Sequence, residues 1–213
     1  MAKIRRHDDP CGIARALAVI GERWAVLVVR ELLLGPKRFG AIRDGLHGIS
    51  PNVLSRRLRE LESAGIIRRG TLSPPADVAI YELTDRGYAL EPILIELGRW
   101  GSGQPTDADA DLSVDALMLA LKTLFDVDCA LEMTLGITVD REDFRLAVRD
   151  HTIDIQRGAA TDAPTHLTTD ASTLRAVAFG REPISHAQAQ SRLTITGDHR
   201  TADEFHRMFR PPT

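Results

Sequence analysis

The sequence predicts a mostly α-helical N-terminal domain followed by a smaller α+β domain. Apolar residues recur at helical spacings before the segment GSGQPTDADADLS (101–113), and they alternate with polar residues in short stretches after it. The residues of that segment are mostly small, polar or acidic, a composition typical of a linker. Residues 1–100 carry a net charge of +4, and residues 101–213 carry −7. The predicted boundaries are 1–101 for the first domain, 102–112 for a linker and 113–213 for the second domain.

Composition narrows the class of protein. The chain has 213 residues, of which 43% are apolar, so a packed core is expected. Its two cysteines, Cys11 and Cys129, are too few for a disulfide framework and suit a reducing compartment. The start MAKIRRHDDP has no apolar segment of the kind that secretory signals contain, and AVLVV (25–29) is too short to span a bilayer. We expect a cytoplasmic protein without a membrane partner.

The first domain is predicted to be helical with one hairpin. Ser50 is a favoured N-cap and Pro51 a favoured first helical residue, while Gly65 is a typical helix stop. The stretch IIRRGTLSPPADVAIYEL contains two short strand patterns around a proline-containing loop. The predicted elements are helices over 11–20, 23–34, 38–46, 51–64 and 85–100, with the hairpin over 66–83.

The helix that starts after Ser50 has two distinct faces. Leu54, Leu58 and Leu61 fall on one side, at spacings of four and three, and are predicted to pack inward. Polar side chains lie roughly opposite, and together with the preceding short helix this one forms a helix-turn-helix. In that motif the second helix enters the DNA major groove. The candidate DNA-binding residues are Arg38, Ser50, Asn52, Ser55, Arg56, Arg57, Arg59, Arg68 and Arg69.

An ordinary solvated helix surface is the alternative explanation of these arginines. Two observations favour double-stranded DNA. The hairpin that follows places Arg68 and Arg69 beside the helix, as the wing of a winged helix-turn-helix, and arginines there contact phosphates. The positive balance of residues 1–100 has the sign that phosphate binding requires.

The stretch CGIARALAVIGERWAVLVVRELLLGPKRFGAIRDGLHGISPNVLSRRLRELESAGIIRRG, with YELTDRG and RWG after it, resembles the HxlR-type winged helix-turn-helix transcriptional regulators over about residues 10–101. The resemblance implies a symmetric homodimer that regulates nearby genes. It also implies that the first and last helices, 11–20 and 87–100, carry the dimer contact. The wing keeps the family's proline and tyrosine but is poor in basic residues at its tip.

The same resemblance makes Cys11 a candidate redox residue, because some relatives sense oxidants with a cysteine at this place. Arg15, one helical turn on, favours the thiolate, whereas Asp8 and Asp9 oppose it. A purely structural Cys11 is the alternative.

The second domain is predicted to combine a sheet with short helices. Asp170 has the position of a helix N-cap before ASTLRAVAFG, which ends at Gly180. The predicted helices are 113–126, 171–180, 183–190 and 200–209, and the predicted strands lie within 129–139, 143–150, 152–156, 163–170 and 192–196.

Residues 112–210 resemble the sterol carrier protein type-two fold, most clearly in TDASTLRAVAFG, REPISHAQAQSRL and LTITGD. The resemblance implies an apolar cavity that binds a lipid or another apolar small molecule. A ligand-free packed core is the alternative use of the same side chains. The candidate pocket residues are Leu117, Leu121, Phe125, Phe144, Phe179, Phe205 and Met208.

Nothing in the sequence has the pattern of a catalytic set. The seven histidines are scattered, and none stands at a familiar metal-ligand spacing. A glycine-rich phosphate loop and a nucleophile elbow are also missing from the sequence. We therefore expect no enzyme, cofactor or metal, but a homodimeric DNA-binding regulator that an apolar ligand controls. An apolar-ligand carrier that uses the helix-turn-helix mainly to dimerise is the alternative.

Overall fold

A computed structural model describes residues 9–71, 78–104 and 112–210 of the chain. The chain forms two compact units, Met1–Leu94 and Ile95–Thr213. Across the described residues, no helix is both long enough and apolar enough to cross a membrane.

The first unit contains a three-stranded antiparallel sheet and the helices around it. The strand order is β1-β3-β2, and the two-residue strand β1 was not predicted from the sequence. Its core consists of fully buried aliphatic side chains from three helices, among them Val28, Leu32, Ile42 and Leu54. The elements of the first unit are α1 (Gly12–Ile20), α2 (Arg23–Leu32), β1 (Lys37–Arg38), α3 (Phe39–Gly45), α4 (Pro51–Ser63), β2 (Ile67–Thr71), β3 (Ala79–Leu83) and α5 (Asp85–Tyr88). The next helix, α6 (Glu91–Ser102), begins in the first unit and continues past Leu94 into the second.

The prediction of one helix over 85–100 was wrong, because the chain there forms two helices, α5 and α6. Pro92 explains the break. It has no N–H to donate, and its ring would clash with the carbonyl of Tyr88 four residues earlier. The last helix continues to Ser102, two residues beyond its predicted end at Trp100, and residues 105–111 of the predicted linker lie outside the described residues.

The second unit contains a five-stranded sheet in the order β6-β5-β4-β7-β8. The central pair β4–β7 is parallel, and the other neighbouring strands are antiparallel. Its inner face carries buried apolar residues such as Leu135, Phe144 and Leu167. The predicted α+β class is confirmed. The remaining elements are α7 (Val114–Leu124), β4 (Met133–Val139), β5 (Glu142–Arg149), β6 (Thr152–Arg157), β7 (Thr165–Thr169), α8 (Ala171–Ala178), α9 (Ile184–Ala189), β8 (Leu193–Gly197) and α10 (His199–Glu204).

Two boundaries in this unit differ from the predictions. The strand predicted from Cys129 begins only at Met133. The helix predicted over 200–209 becomes a 3₁₀ turn at Phe205–Met208. In contrast, Asp170 caps its helix as predicted, and Ser113, which the sequence analysis did not name as a cap, does the same for α7. Ser113 accepts from the Ala116 N–H at 3.1 Å, and Asp170 accepts from the Thr173 N–H at 2.8 Å.

Candidate nucleic-acid interface

Helices α3 and α4 form the predicted helix-turn-helix. Gly48, at φ +85°, lets the chain reverse between the two helices. The apolar side chains of the turn, Leu46 and Ile49, are buried and fix it against the core. Ser50 caps α4, because its Oγ accepts from the Val53 N–H at 3.3 Å. The hydroxyl of Ser50 therefore has a structural partner before any DNA is considered.

Helix α4 presents a polar face opposite its buried leucines. Leu54, Leu58 and Leu61 are at most 1% exposed, as their spacing predicts. Two outward residues are arginines, and one of them, Arg59, donates from Nε to the Ser55 carbonyl at 3.3 Å while it remains exposed. The outward set comprises the exposed residues Asn52, Arg56 and Arg59 and the half-buried Ser55.

Arg57 does not belong to this outward face. Its guanidinium is buried and forms ion pairs with Glu22, at 3.4 Å, and with Glu60. Position 57 follows Leu54 by three and precedes Leu61 by four, so it lies beside the inward leucines. Arg57 thus ties α4 to the chain just before α2, and the predicted contact with DNA has to be corrected to this structural role.

A buried carboxylate that the sequence analysis missed supports the first helix of the motif. Glu31, in α2, is completely buried and forms ion pairs with Arg30 at 2.9 Å and with Lys37 at 2.8 Å. It lies so close to Gly45 that a Cβ at that position would clash with its carboxylate. Glu31 therefore connects α2, β1 and the end of α3. Its signal in the sequence was a single acidic residue at the start of the apolar run ELLL.

The hairpin holds the two predicted strand arginines on its surface. The Arg68 side chain is 67% exposed, and its Nε donates to Glu82 on β3 at 2.8 Å. Arg69, the next residue, is also exposed, as is Arg38 at the start of α3. The predicted wing tip falls in residues 72–77, outside the described part of the chain.

The first and last helices of the predicted N-terminal domain leave large apolar side chains in solvent. Ile13 and Leu17, on α1, are 72% and 54% exposed. Ile93, Leu97 and Trp100, on α6, are 54%, 51% and 70% exposed. Apolar surface of this kind marks an interaction site more often than a free surface.

The two cysteines are free thiols in different environments. Cys11 is exposed at the start of α1, where its backbone N–H donates to Asp9 at 2.8 Å, and Cys129 is half-buried. The redox role of Cys11 stays a prediction.

The side chains predicted to line a lipid cavity are packed as a core. Each of the seven is at most 7% exposed. The rings of Phe179 and Phe205 meet the ring of Phe209 edge to face, with centroids 6.2 Å and 5.1 Å apart. The described residues of the unit do contain a groove of about 240 Å³, but Phe144 is the one predicted pocket residue that lines it. The lipid cavity stays a prediction.

The HxlR-like helix-turn-helix family model matches residues 19–108, which include the whole α3–α4 motif. The chain is 43% identical over 89 residues to the HTH-type transcriptional regulator YvaP of Bacillus subtilis, a match that covers 41% of this chain and 82% of the relative. The chain therefore belongs to the HxlR-like helix-turn-helix family of transcriptional regulators.

Similar proteins also include a second regulator and a solved enzyme. The HTH-type transcriptional regulator YodB of Bacillus subtilis is 38% identical over 85 residues, which are 40% of this chain and 76% of YodB. A solved sec-alkylsulfatase of Pseudomonas sp. is 21% identical, with a TM-score of 0.45, over 48% of this chain and 17% of that enzyme. At that TM-score the sulfatase likeness carries no argument about function.

Proposed function

We propose that the protein is a DNA-binding transcriptional regulator that reads its site with α4 and acts as a homodimer. The observation that carries the proposal is the outward face of α4. Asn52, Arg56 and Arg59 are exposed together there, on a helix fixed from behind by three buried leucines. Arginine bonds guanine through two hydrogen bonds, and asparagine does the same with adenine, so this face has the chemistry of base reading.

Phosphate contacts supply the remaining part of the proposed interface. Arg38 and Arg69 are exposed on either side of α4 in the chain, and Arg68 is exposed although it bonds Glu82. Cations at these places neutralise phosphates and orient the reading helix, without selecting a base sequence. We leave Arg57 out of the proposed interface, because its charge is already bound inside the unit by two carboxylates.

The dimer is proposed from the exposed apolar residues of α1 and α6. Ile13, Leu17, Ile93, Leu97 and Trp100 are costly to leave in water and match the helices that relatives use for assembly. A two-fold dimer presents two copies of α4, as a palindromic DNA site requires.

In the proposed regulatory role of the second unit, ligand binding to that unit has to change DNA binding by the dimer. Its acidic balance opposes DNA binding and leaves it available for sensing. A ligand regulates only if it binds one state of the dimer more tightly than the other. The rival function, an apolar-ligand carrier, needs a cavity to open among the seven predicted pocket residues, because each of them is buried in the core.

The DNA proposal is tested first by a genome-wide binding profile of the full chain and then by titration of the strongest site. Arg56→Ala and Arg59→Ala should each weaken specific binding by about 1–3 kcal/mol if the arginine bonds a base edge. Affinity of the parent protein should fall steeply as salt rises. Arg181→Ala, which removes an exposed arginine from the second unit, is the control and should bind like the parent. Unchanged affinity in both α4 variants would show that another surface reads the site.

The dimer proposal is tested by sedimentation of the full chain at micromolar concentration. Leu17→Glu and Trp100→Glu place a charge on the proposed interface at positions that are exposed in one chain, so the fold should survive. We expect both variants to sediment as monomers. Val127→Glu, at an apolar residue that is 56% exposed in the second unit, should remain dimeric. A parent protein that sediments as a monomer and still binds its site with full affinity contradicts the proposal.

A further inference from the structure

The outer face of the second unit's sheet carries a groove that no sequence pattern indicated. Strand pairing places Thr138 opposite Asp143 and Gly136 opposite His166, and residues two apart on β4 share a face. The groove, about 240 Å³, lies between this face and the loop 158–164. Three residues of that loop, Ala159, Ala160 and Thr161, line it.

Polar bonds fix the loop above the sheet. The Gly158 N–H donates to the backbone carbonyl of Asp143 at 2.7 Å. The guanidinium of Arg145 donates to both carboxylate oxygens of Asp162, at 2.9 and 2.8 Å. His166 donates from Nε2 to the Ala160 carbonyl at 3.1 Å. The groove is therefore bounded on both sides by groups held in place.

His166 can occupy its position because Gly136 has no side chain. The imidazole of His166 lies against the Cα of Gly136, where a Cβ would clash with the ring. Glycine at this place in the central strand thus leaves the room that His166 occupies. A glycine inside a strand often marks such a close approach.

Side chains that line the groove provide hydrogen-bond acceptors. Thr138 donates its hydroxyl proton to Asp143 at 2.7 Å, so its oxygen is left as an acceptor. A carbonyl can only accept, so Nε2 of His166 carries the proton in its bond to Ala160. Asp143 adds a negative charge, while the neighbouring Arg145 is engaged by Asp162.

We infer that this groove binds a small amine that has an apolar body. A protonated ammonium group satisfies the acceptors of Thr138 and Asp143 and balances the carboxylate charge. The exposed Ala159, which lines the groove, gives the apolar part a surface to contact. The volume is below the roughly 300–1,000 Å³ of sites for drug-sized ligands, so one ring or a short chain fits. This inference does not depend on DNA binding.

Titration calorimetry of the full chain with three probes of similar shape tests the inference. 2-Phenylethylamine carries the ammonium group, 2-phenylethanol is neutral and phenylacetate is an anion. We expect the amine to bind at least about tenfold more tightly than the alcohol, because the alcohol lacks the charged hydrogen-bond donor. We expect phenylacetate to bind most weakly. No binding of the amine, or equal binding of all three probes, overturns the inference.

Two matched variants locate the site. Asp143→Asn keeps the shape but removes the charge, and it should weaken amine binding about tenfold or more. Asp154→Asn removes an exposed carboxylate from β6, away from the groove, and should bind the amine like the parent. If Asp143→Asn fails to fold, Thr138→Val removes the neighbouring acceptor and should weaken binding several-fold. Parent-like binding of the amine by the folded groove variant overturns the inference.

Discussion

The regions 9–104 and 112–210 differ in what they expose. On α1 and α6 the first region leaves large apolar residues such as Leu17 and Trp100 more than half exposed, whereas among the described residues of the second region Val127 alone is a large apolar residue exposed in this way. The second region encloses its apolar side chains within one sheet and its helices. A region that exposes apolar helices is suited to meet a partner, and one that encloses them is suited to stand alone.

Charged groups show the same contrast. In the second region, several arginines are bound to carboxylates of that region, as in the pairs Arg145–Asp162, Arg192–Glu182 and Arg210–Asp126. In the first region Arg30, Arg57 and Arg68 are also bound to carboxylates, but Arg56 and Arg59 on the outer face of α4 are exposed. The location of the arginines, more than their number, therefore distinguishes a candidate DNA-binding face from a structural ion pair.

The largest expected effect is on the core of the second region. Phe205→Ala removes a fully buried ring and should lower the free energy of unfolding by about 3–5 kcal/mol. Hydrogen exchange should show the amides of β4 and β7 losing protection while those of α4 keep theirs. Val127→Ala, at an exposed site, should change stability by less than about 0.5 kcal/mol. Equal loss of protection in both regions would break the comparison.

Truncation of a core side chain in the first region should likewise lower stability. Leu58→Ala truncates a side chain that is 1% exposed and should cost about 2–5 kcal/mol of stability, measured by denaturant unfolding. Asn52→Ala, on the outward face of the same helix, should leave stability within about 0.5 kcal/mol of the parent. If Leu58→Ala were as stable as Asn52→Ala, the inward and outward faces of α4 would be wrongly assigned.

Acid should weaken the second region through its paired carboxylates. Hydrogen bonds from Arg210, Arg145 and Arg192 lower the pKa of Asp126, Asp162 and Glu182 respectively, and a bond from Thr201 lowers that of Asp198. A carboxylate with a lowered folded-state pKa stabilises the fold above its unfolded pKa, about 4, and this stabilisation is lost as pH falls through the folded value.

Thermal unfolding between pH 7 and pH 2 measures this dependence. The parent should lose stability below about pH 4. Asp162→Asn should lose less than the parent over the same range, because one of the shifted carboxylates is absent. Asp154→Asn is the matched control and should follow the parent. A flat pH profile in the parent would show that these ion pairs add nothing to stability.

The smallest expected effect concerns the thiol at the start of α1. Cys11 is exposed, and its backbone amide, rather than its sulfur, is bonded to Asp9. We expect Cys11→Ser to fold and to bind DNA like the parent, and mild peroxide to leave the DNA affinity of the parent unchanged. The mass of the treated protein shows whether Cys11 is still a thiol. Loss of binding on oxidation in the parent, and not in Cys11→Ser, would make Cys11 a sensor.

Local chemistry in the sequence was enough to define most elements. Ser50, Ser113 and Asp170 cap helices as their residue types predict, since capping depends on atoms within three residues. The leucine spacing in α4 gave the buried face for the same reason. The break before α6 was also encoded locally, in Pro92, although the helical apolar pattern around it suggested one continuous helix.

Tertiary structure alone decided which polar residues are available. Arg57 and Arg56 are adjacent in sequence, yet Arg57 meets Glu22 from a distant part of the chain and is buried. Glu31 is completely buried and forms an ion pair with Lys37, and pairing of β4 with β7 brings Gly136 beside His166 at the outer groove. Periodicity and capping describe neighbours along the chain. The environment of a charge depends on residues that only the fold brings near, which is why the sequence determined the elements and the structure selected the site.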